Sequence, residues 1–482
     1  MVAVQLPQLL PTDSQVLPLQ VAPQACRRFV TEMSVVGRLA ERWKAWEEIG
    51  ANPVVLNWVR NGVHLIVNGQ VEEDCRSFTL TSEQTEWLRV EIQRLVAVKA
   101  IAWVGKGERP QCIKCVSPVF LVPKTGPKKW RLVINNRRLN AMMVDQTCKF
   151  EGIDQIIRNL GRGWWFITWD LAQGYHHVQM TKESAMWLGF QVGEDWYVYL
   201  VIPFGMKWSP FIFTKVVRPM IRQWRRMGLL TTSYVDDFSL THKEKETLIM
   251  QRDNCITPLM DKLGWVREET KGCWEPTQQG EILGWWIDTV FGTITLPERK
   301  VLKILKVMKK VCKSSTMTKR ELSQVAGLVQ STQKAFAPAR LFCREWYNLI
   351  KNSPGGWKQQ VQLTARAKED ALWIHTHLRD FNGRPLWTPS LVIPLNFDAM
   401  PEGWGAFCMG QEARGDFQPW ETEEHICILE TKAVKLGLES FVDVVKGKTV
   451  ELRIDNKTTR AVLEKGGSKK RPELTELVRE IW

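Results

Sequence analysis

Acidic residues lie at the end of one short apolar segment of the sequence and between the apolar flanks of another. Asp170 closes the run FITWD and is the only Asp, Glu, Lys or Arg between positions 163 and 180. Asp236 and Asp237 are adjacent in SYVDDFSL, residues 233–240. Alternation puts this pair on opposite faces of a strand or at a hairpin tip, and an exposed turn is the ordinary interpretation of such a pair alone. If the fold brings Asp170 beside Asp236, a cation must offset their repulsion, and paired Mg²⁺ ions could do so.

Carboxylates that share two Mg²⁺ ions are suited to phosphoryl transfer, because one ion activates the attacking hydroxyl and the other stabilises the leaving oxygen. Between the acids lies VIPFGMKWSPFIF, residues 201–213, whose Pro-Phe-Gly turn precedes a predicted helix beginning near Ser209. Gly205 permits a close backbone approach, and a helix N-terminus can face phosphate, although a purely structural turn explains the same residues. An anionic substrate is the prediction.

Short β-rich runs surround these residues. They are VFLV, WRLVIN, WFITWD, WYVYLVI and TTSYVDDFSL, and they alternate with helical segments such as residues 209–223. The mixture predicts an α+β fold rather than a regular βαβ repeat. Two further amphipathic helices are predicted at residues 38–48 and 82–100.

Composition describes a folded protein with an anionic partner. The 482 residues suggest about three domains. A hydrophobic share of 44% and a charged share of 24% exclude collagen, long disorder and a coiled-coil rod. Lys and Arg number 66 against 52 acids, a net charge of +14. This excess favours nucleic acid as the partner, with an anionic membrane surface second.

Most of the positive charge lies in residues 297–353, which contain 13 Lys or Arg and 3 Glu. Helical spacing over residues 300–313 puts apolar side chains on one face and lysines around the other. A solvated face is the ordinary interpretation. Because no acid is interleaved, we favour a helix that follows a phosphate backbone. The lysines assigned to this contact are Lys300, Lys303, Lys306, Lys310 and Lys313.

Cysteine usage and hydropathy favour an intracellular protein, cytoplasmic or nuclear. Eleven Cys are too few, and odd in number, for a disulfide framework. Cys112 and Cys115 form a lone CxxC pair, for which two buried thiols are a better explanation than zinc. Residues 1–28 are interrupted by proline and lack a basic start, so they predict a flexible leader rather than a signal peptide. No stretch approaches the roughly 18 apolar residues of a membrane span.

The motifs VFLVPK, KKWRLVINNRRLN, FITWDLAQGY, VIPFGMKWSP, SYVDDF, LGWVREETKG and ILGWWI occur in an order that resembles the fingers and palm of retroelement reverse transcriptases. The segments GRLAERWKAWEEIGANPVVLNWVRNG, EEHICILETKAV, LRIDNKTTRAVLEKGGSKK and ELVREIW are similar to the DIRS-type, tyrosine-recombinase retrotransposons. The resemblance covers residues 36–482. It implies template-directed DNA synthesis on an RNA template, with a DNA primer, dNTPs, an RNA/DNA hybrid and two Mg²⁺ ions. It leaves the oligomeric state open.

The resemblance also implies roles for individual residues. Asp170, Asp236 and Asp237 match the catalytic triad, with the first two as direct metal ligands. Tyr175 matches the steric gate against a ribose 2′-OH, for which the alternative is a core tyrosine. The other matches are Lys124 and Arg131 for the triphosphate, Phe204 and Gly205 for the floor of the nucleotide pocket, Lys271 for protonation of pyrophosphate, and Trp285 or Trp286 for the primer grip.

Three acids near the C-terminus form a second candidate site. Asp398 ends an apolar run, Glu430 lies on a predicted helix and Asp455 closes the strand VELRID. Acids at two strand ends and on a helix could converge on two Mg²⁺ ions for phosphodiester hydrolysis. Their order resembles ribonuclease H. The family's domain continues to a further helix with a fourth acid, so we expect this domain to be truncated at Trp482 and its activity to be uncertain.

The predicted architecture is a right-hand polymerase of α+β class with fingers, palm and thumb, followed by a connection and a truncated ribonuclease H-like α/β domain. The boundaries are a leader at 1–28, a helical extension at 29–105, fingers and palm at 106–296, basic thumb and connection at 297–388, and the last domain at 389–482. Two alternatives stay open: a polymerase-like scaffold that binds RNA without catalysis, and a polymerase that makes RNA.

Overall fold

The structure, a computed structural model, describes residues 34–69, 80–123, 130–387 and 392–482. These residues form two units. The first contains the described residues up to Asn159 together with Trp165–Thr277, and the second contains Leu160–Trp164 and Gln278–Trp482. The predicted leader, 1–28, lies outside the described residues, as does Lys124.

The first unit mixes helices with short antiparallel strands. Its elements are α1 (Arg38–Glu41), α2 (Trp43–Glu48), α3 (Pro53–Asn61), α4 (Ser82–Ala97), β1 (Ile101–Lys106), β2 (Val119–Pro123), β3 (Trp130–Ile134), α5 (Arg137–Met142), α6 (Ile153–Arg158), β4 (Trp165–Asp170), α7 (Lys182–Ala185), β5 (Gly189–Val192), β6 (Asp195–Tyr199), α8 (Ser209–Arg226), β7 (Leu230–Tyr234), β8 (Asp237–His242), α9 (Lys245–Gln251), α10 (Thr257–Leu263) and β9 (Cys273–Thr277). A 3₁₀ turn spans Gly174–His177.

Three sheets organise this unit, with strand orders β7-β8-β4-β9, β1-β6-β5 and β2-β3. Every β-rich run predicted from the sequence contains a strand of one of these sheets, although WYVYLVI continues past the end of β6 at Tyr199. The central strand β4 is buried along Phe166–Trp169, because the apolar run FITW faces neighbours on both sides. The α+β prediction is therefore confirmed.

Helix α8 provides much of the core behind the four-stranded sheet. It begins at Ser209, as predicted, and Pro210 follows in the first turn, where a missing N–H costs nothing. The apolar residues recur at helical spacing and are buried; they are Ile212, Phe213, Val216, Val217, Met220, Ile221 and Trp224.

Two predicted helices differ from the structure at their ends. The segment 38–48 forms two short helices, because the chain leaves helical geometry at Arg42. The helix predicted at 82–100 ends at Ala97, and Lys99 takes a left-handed conformation with a φ of 60°. A capping box between Thr81 and Gln84 fixes its start.

The second unit contains three further sheets and the basic helix. Its elements are β10 (Gln279–Ile282), β11 (Trp285–Asp288), β12 (Thr293–Thr295), α11 (Glu298–Lys313), β13 (Thr316–Thr318), α12 (Lys319–Gln330), α13 (Arg344–Asn352), β14 (Gln360–Gln362), α14 (Ala365–His377), β15 (Arg384–Pro385), β16 (Ile393–Met400), β17 (Gly403–Cys408), β18 (Gln411–Asp416), α15 (Ile426–Ser440), α16 (Val442–Val445), β19 (Val450–Arg453), α17 (Lys457–Lys465) and α18 (Pro472–Ile481). The strand orders are β10-β11-β12-β15, β13-β14 and β18-β17-β16-β19.

The C-terminal sheet is mixed, because β16 pairs antiparallel with β17 and parallel with β19. Helix α15 lies directly on this sheet. A Cβ added at Gly437 would lie 2.7 Å from side-chain atoms of both Ala406 and Phe397, so the close packing of helix on sheet requires glycine there.

Candidate active site

The register of two neighbouring strands brings the predicted palm acids together. Strand β4 pairs antiparallel with β8, and Asp170 is the direct partner of Asp237. The preceding pair, Trp169 and Phe238, stacks with ring centroids 5.5 Å apart and fixes this register. Directly opposed residues of antiparallel strands have Cα atoms about 4.5 to 5.5 Å apart.

Asp236 lies in the two-residue turn between β7 and β8, whose flanking residues Tyr234 and Asp237 pair. Its carbonyl accepts a hydrogen bond of 3.3 Å from the backbone N–H of Leu171. The hairpin tip, which was one of two arrangements left open by the sequence, therefore lies beside the end of β4. Val235 holds the turn with a φ of 58°, a left-handed conformation that is unfavourable for a β-branched residue.

The grouping of acids shifts their titration. Burial raises the pKa of the Asp236 carboxyl, and the charge of Asp170 raises it further. The pKa of Asp237 rises to about 7, first through burial and then through the charge of Asp170 and a hydrogen bond with it. The site therefore disfavours three simultaneous negative charges unless a cation is close.

Lys271 supplies one such cation. Its Nζ donates a 3.0 Å hydrogen bond to Asp170 Oδ2, and this bond raises the pKa of the lysine. The next residue, Gly272, has a φ of 76°, and an added Cβ would lie 2.4 Å from the carbonyl oxygen of Thr168. Glycine thus lets the chain run close enough to β4 for Lys271 to reach the acid.

The acids fit Mg²⁺ by donor chemistry, because carboxylate oxygens are hard ligands. Asp170, Asp236 and Asp237 also outnumber the neighbouring cations Lys271 and Arg131. Within the described ranges, no three or more His, Cys, Asp or Glu side chains are grouped so as to hold a metal by themselves. A site for phosphoryl transfer does not require such a group, since substrate phosphates and water complete the shell.

Tyr175 lies close to the acids on the 3₁₀ turn. Its ring is 4.8 Å from that of Phe204 and 5.3 Å from that of Phe213. Burial and the charge of Asp236 raise the pKa of Tyr175 to about 12, so its hydroxyl keeps its proton. The guanidinium of Arg131 lies 5.9 Å from the Phe204 ring. The predicted gate, pocket floor and triphosphate ligand are therefore neighbours.

The turn that carries Phe204 is held by Gly205 and by Asn140, and the sequence interpretation left Asn140 without a role. Gly205 has a φ of 91°, and an added Cβ would lie 2.7 Å from the Ile134 carbonyl oxygen. Asn140 donates to the Gly205 carbonyl at 2.9 Å and accepts from the Lys207 N–H at 2.8 Å. The motif NNRRLN contained this asparagine, but only the folded chain shows its partners.

A cavity of about 400 Å³ adjoins this pocket. Arg131, Gln173 and Phe204 line it, and so do side chains of α4, among them Trp87 and Arg94. Helix α4 therefore forms part of the wall of this cavity, beside the residues predicted to bind the nucleotide. The sequence pattern did not predict this contribution.

The predicted primer-grip and backbone-tracking residues lie in the second unit. Trp285 is buried in β11, whereas Trp286 is 42% exposed. Lys300 Nζ lies 4.7 Å from the Trp285 ring, and Lys310 Nζ pairs with Glu321 at 3.0 Å. The other predicted lysines, Lys303, Lys306 and Lys313, are exposed on α11.

The C-terminal acids occupy the predicted element types. Asp398 lies on β16, Glu430 is buried on α15 and Asp455 follows β19. Burial raises the pKa of Glu430 to about 7, with further contributions from Asp455 and Asp398. An open cavity of about 760 Å³ is lined by Asp398 and Asp455 together with Arg460 and Glu464. The three acids therefore influence one another electrostatically.

Of the CxxC pair, Cys115 is buried and Cys112 is exposed, so the expectation of two buried thiols holds for Cys115 alone. None of the nine cysteines that the structure describes forms a disulfide bond. None of the helices in the described residues has the length and apolar character needed to cross a bilayer.

Comparison with known proteins shows which proteins this chain is similar to in sequence and in fold. Residues 122–284 match the family described as "Reverse transcriptase (RNA-dependent DNA polymerase)". The foamy viral protease-reverse transcriptase in complex with dsDNA has a TM-score of 0.58 and 18% identity, over 90% of each chain. The same enzyme in complex with RNA/DNA hybrid has a TM-score of 0.56 and 16% identity, over 96% of this chain and 62% of the other.

The similar proteins in sequence come from retroelements and viruses. The "Retrovirus-related Pol polyprotein from transposon 297" of Drosophila melanogaster is 33% identical over 125 residues, which are 25% of this chain and 12% of the relative. "Polyprotein P3" of Commelina yellow mottle virus is 26% identical over 423 residues, or 81% of this chain and 20% of the relative. The chain thus spans a fifth or less of these relatives. Residues 122–284 are thus similar to the reverse transcriptase domains of retroelement and retrovirus-related Pol proteins.

Proposed function

We propose that the chain is the RNA-directed DNA polymerase of a retrotransposon. The single observation that supports this most strongly is the pairing of Asp170 with Asp237 beside the turn residue Asp236. The family match over residues 122–284 covers all three acids. In this proposal an RNA template, a DNA primer and dNTPs are the substrates.

In the proposed reaction the primer 3′-OH attacks the α-phosphate of the dNTP in line, and pyrophosphate leaves. Asp170 and Asp236 would hold two Mg²⁺ ions, with Asp237 beside them, and when bound these ions would supply activation of the hydroxyl and stabilisation of the leaving oxygen. Arg131 and Lys124 bind the triphosphate by charge-assisted hydrogen bonds. Lys271 would protonate the leaving pyrophosphate, and its hydrogen bond to Asp170, which keeps it next to the acids, supports this role.

Other residues orient the substrates. Tyr175 excludes a ribose 2′-OH, and Phe204 and Gly205 form the floor under the nucleotide. Trp285 or Trp286 supports the primer end, and the lysines of α11 contact the phosphate backbone. These are Lys300, Lys303, Lys306, Lys310 and Lys313, of which Lys310 must exchange its partner Glu321 for a phosphate.

Primer extension on an RNA template tests the proposal. Asp170→Asn, Asp236→Asn and Asp237→Asn should each abolish or severely reduce Mg²⁺-dependent extension. The matched control is Asp261→Asn, an exposed acid on α10, which should extend like the wild type. Absence of extension by the wild type, or full activity of Asp236→Asn, would favour the RNA-binding scaffold instead.

The second alternative, an RNA-synthesising polymerase, differs in its nucleotide choice. Competition between ribonucleotides and deoxynucleotides on the same primed template separates the two. Preferential use of ribonucleotides by the wild type would replace our choice by this alternative.

We further propose that Asp398, Glu430 and Asp455 form a ribonuclease H-like site that holds two Mg²⁺ ions and cleaves the RNA of a hybrid. The raised pKa of Glu430 next to two acids supports this role. Glu430→Gln should abolish cleavage of hybrid RNA, while Glu439→Gln on the same helix should not. Cleavage that persists in Glu430→Gln would exclude the site.

The domain boundaries, the DIRS-type assignment and the site of action are also proposals. They place fingers and palm at 106–296, thumb and connection at 297–388 and a ribonuclease H-like domain at 389–482. The lack of disulfide bonds among the cysteines that the structure describes supports a reducing compartment, cytoplasmic or nuclear.

A further inference from the structure

A buried histidine lies two residues after Tyr175. The His177 side chain is 1% exposed, and its ring centroid is 4.8 Å from that of Trp265. Nε2 accepts a 3.2 Å hydrogen bond from the backbone N–H of Val266, and Nδ1 is 3.3 Å from the carbonyl oxygen of Gly174. Both ring nitrogens therefore have backbone partners.

The partners determine the tautomer. Because Nε2 accepts, the proton must be on Nδ1, from which it is donated to the Gly174 carbonyl. Burial lowers the pKa of His177 to about 3, and the charges of His176 and Arg38 act in the same direction. The ring is thus neutral and has one donor and one acceptor in fixed positions.

The two backbone segments that His177 joins both lead to the active site. The Val266 carbonyl accepts from the Ala172 N–H at 2.8 Å, and the Glu268 N–H donates to the Asp170 carbonyl at 2.9 Å. The segment that starts at Val266 continues to Lys271. The hydrogen bond of Glu268 therefore holds this segment beside Asp170.

Gly174, the second partner, contacts the opposite side of the site. A Cβ added there would lie 3.1 Å from the ring of Phe213 and 3.4 Å from Asp236 Cβ. Since Phe213 also packs on Tyr175, a shift of this turn would move the tyrosine relative to the acids.

We propose that His177 is a positioning residue for nucleotide selection: it ties the turn that carries Tyr175 to the segment 266–271 that carries Lys271. The inference rests on the proposed polymerase function. His177 touches neither substrate nor metal ligand side chains; it sets the distance between the gate and the acids through two backbone hydrogen bonds.

The test compares three variants in primer extension. His177→Phe keeps an aromatic ring but leaves the Val266 N–H and the Gly174 carbonyl without partners. We expect its preference for dNTP over rNTP to fall about tenfold and its KM for dNTP to rise by a similar factor. His177→Gln restores an acceptor at the position of Nε2, so its preference should stay within about threefold of the wild type. His242→Gln, a change at the end of β8, is the matched control and should leave both quantities unchanged.

A second measurement does not depend on activity. The ¹⁵N spectrum of histidine-labelled wild-type protein should contain a neutral Nδ1–H tautomer that disappears in His177→Phe or, if that variant does not fold, in His177→Gln. The signal that is lost on replacement of His177 identifies this residue. If that signal reports an Nε2–H tautomer or a charged ring at pH 7, the inference is overturned. Wild-type nucleotide preference in a folded His177→Phe also overturns it. A wild type that extends no primer would refute the proposed function instead, while the spectrum still reports on the hydrogen bonds.

Discussion

Around Asp170, single side chains determine which charges the site can hold. The neighbouring acids Asp236 and Asp237 have raised pKa values, and Lys271 bonds to Asp170 directly. Tyr175 keeps its proton because burial raises its pKa to about 12. Replacing one of these side chains changes the charge or the contacts at the site, so functional predictions are most direct at this scale.

Replacement of Tyr175 by alanine should relax sugar selection, because the ring that faces Phe204 and Phe213 would be removed. We expect incorporation of ribonucleotides relative to deoxynucleotides to increase about tenfold or more. Single-nucleotide extension with each substrate measures this ratio. Tyr347→Ala, at an exposed position on α13, is the control. An unchanged ratio would assign Tyr175 to the core.

Lys271→Met should lower kcat by about a hundredfold, because the leaving pyrophosphate would lose its proton donor. Lys271→Arg should retain more activity than the methionine variant, since it keeps a cation beside Asp170. Rapid-quench measurement of a single addition gives the rate of the chemical step. Lys262→Met removes an exposed ion pair with Glu48 and should have no effect. A Lys271→Met enzyme with normal kcat but reduced thermal stability would identify a purely structural ion pair.

Among the elements, α12 shows how a helix start is fixed by its own sequence. Thr318 Oγ1 accepts from the Glu321 N–H, and the Glu321 carboxylate accepts from the Thr318 N–H. That backbone hydrogen bond is the main reason why the pKa of Glu321 falls to about 2, and Lys310 adds to it. The same carboxylate thus begins one helix and holds α11 next to it.

Glu321→Ala should destabilise the protein at neutral pH by about 1 kcal/mol, because it removes the acceptor for the Thr318 N–H and the partner of Lys310. Since the folded pKa lies below the unfolded value, this stability is present above about pH 4.5 and is lost as the pH falls towards 2. The melting temperatures of wild type and variant should therefore differ at pH 7 and converge in acid. Lys310→Met separates the lysine's share. A difference that does not depend on pH would contradict this assignment.

At the scale of the whole molecule, charge is distributed unevenly along the chain. The +14 excess is concentrated in residues 297–353, and α11 presents lysines along its exposed face. Such a surface binds phosphates with release of counterions, so its affinity should depend steeply on salt. The salt dependence of the affinity arises from the summed charge of this surface and not from any one contact.

The double change Lys303→Gln and Lys306→Gln should reduce the slope of log affinity against log salt by about two if each lysine neutralises one phosphate. Fluorescence anisotropy with a labelled RNA/DNA hybrid at several salt concentrations measures the slope. The control is the same change at Lys446 and Lys448. These lysines lie in residues 391–482, where acids outnumber bases, and their replacement should leave the slope unchanged. Equal slopes for wild type and the α11 variant would show a merely solvated face.

The sequence was sufficient for the elements that carry the acids, because apolar runs such as FITWD end where their strands end. It was also sufficient for the helix beginning at Ser209. It could not indicate His177 or Asn140 as structural links, since their partners are 89 and 65 residues away in the chain. Likewise, the positions of Lys310 beside Glu321 and Lys300 over Trp285 arise from tertiary packing that periodicity does not contain.

Val235 lowers the stability of the fold at the turn that carries the acidic residue Asp236. A branched side chain held at a φ of 58° stores on the order of 1 to 3 kcal/mol of conformational strain. A laboratory selection for heat resistance alone would therefore favour Asn or Gly at this position. Both variants should survive longer at high temperature. The Gly variant should also synthesise more slowly, because glycine lets the hairpin take other conformations, whereas Asn favours the left-handed region and should keep Asp236 in place.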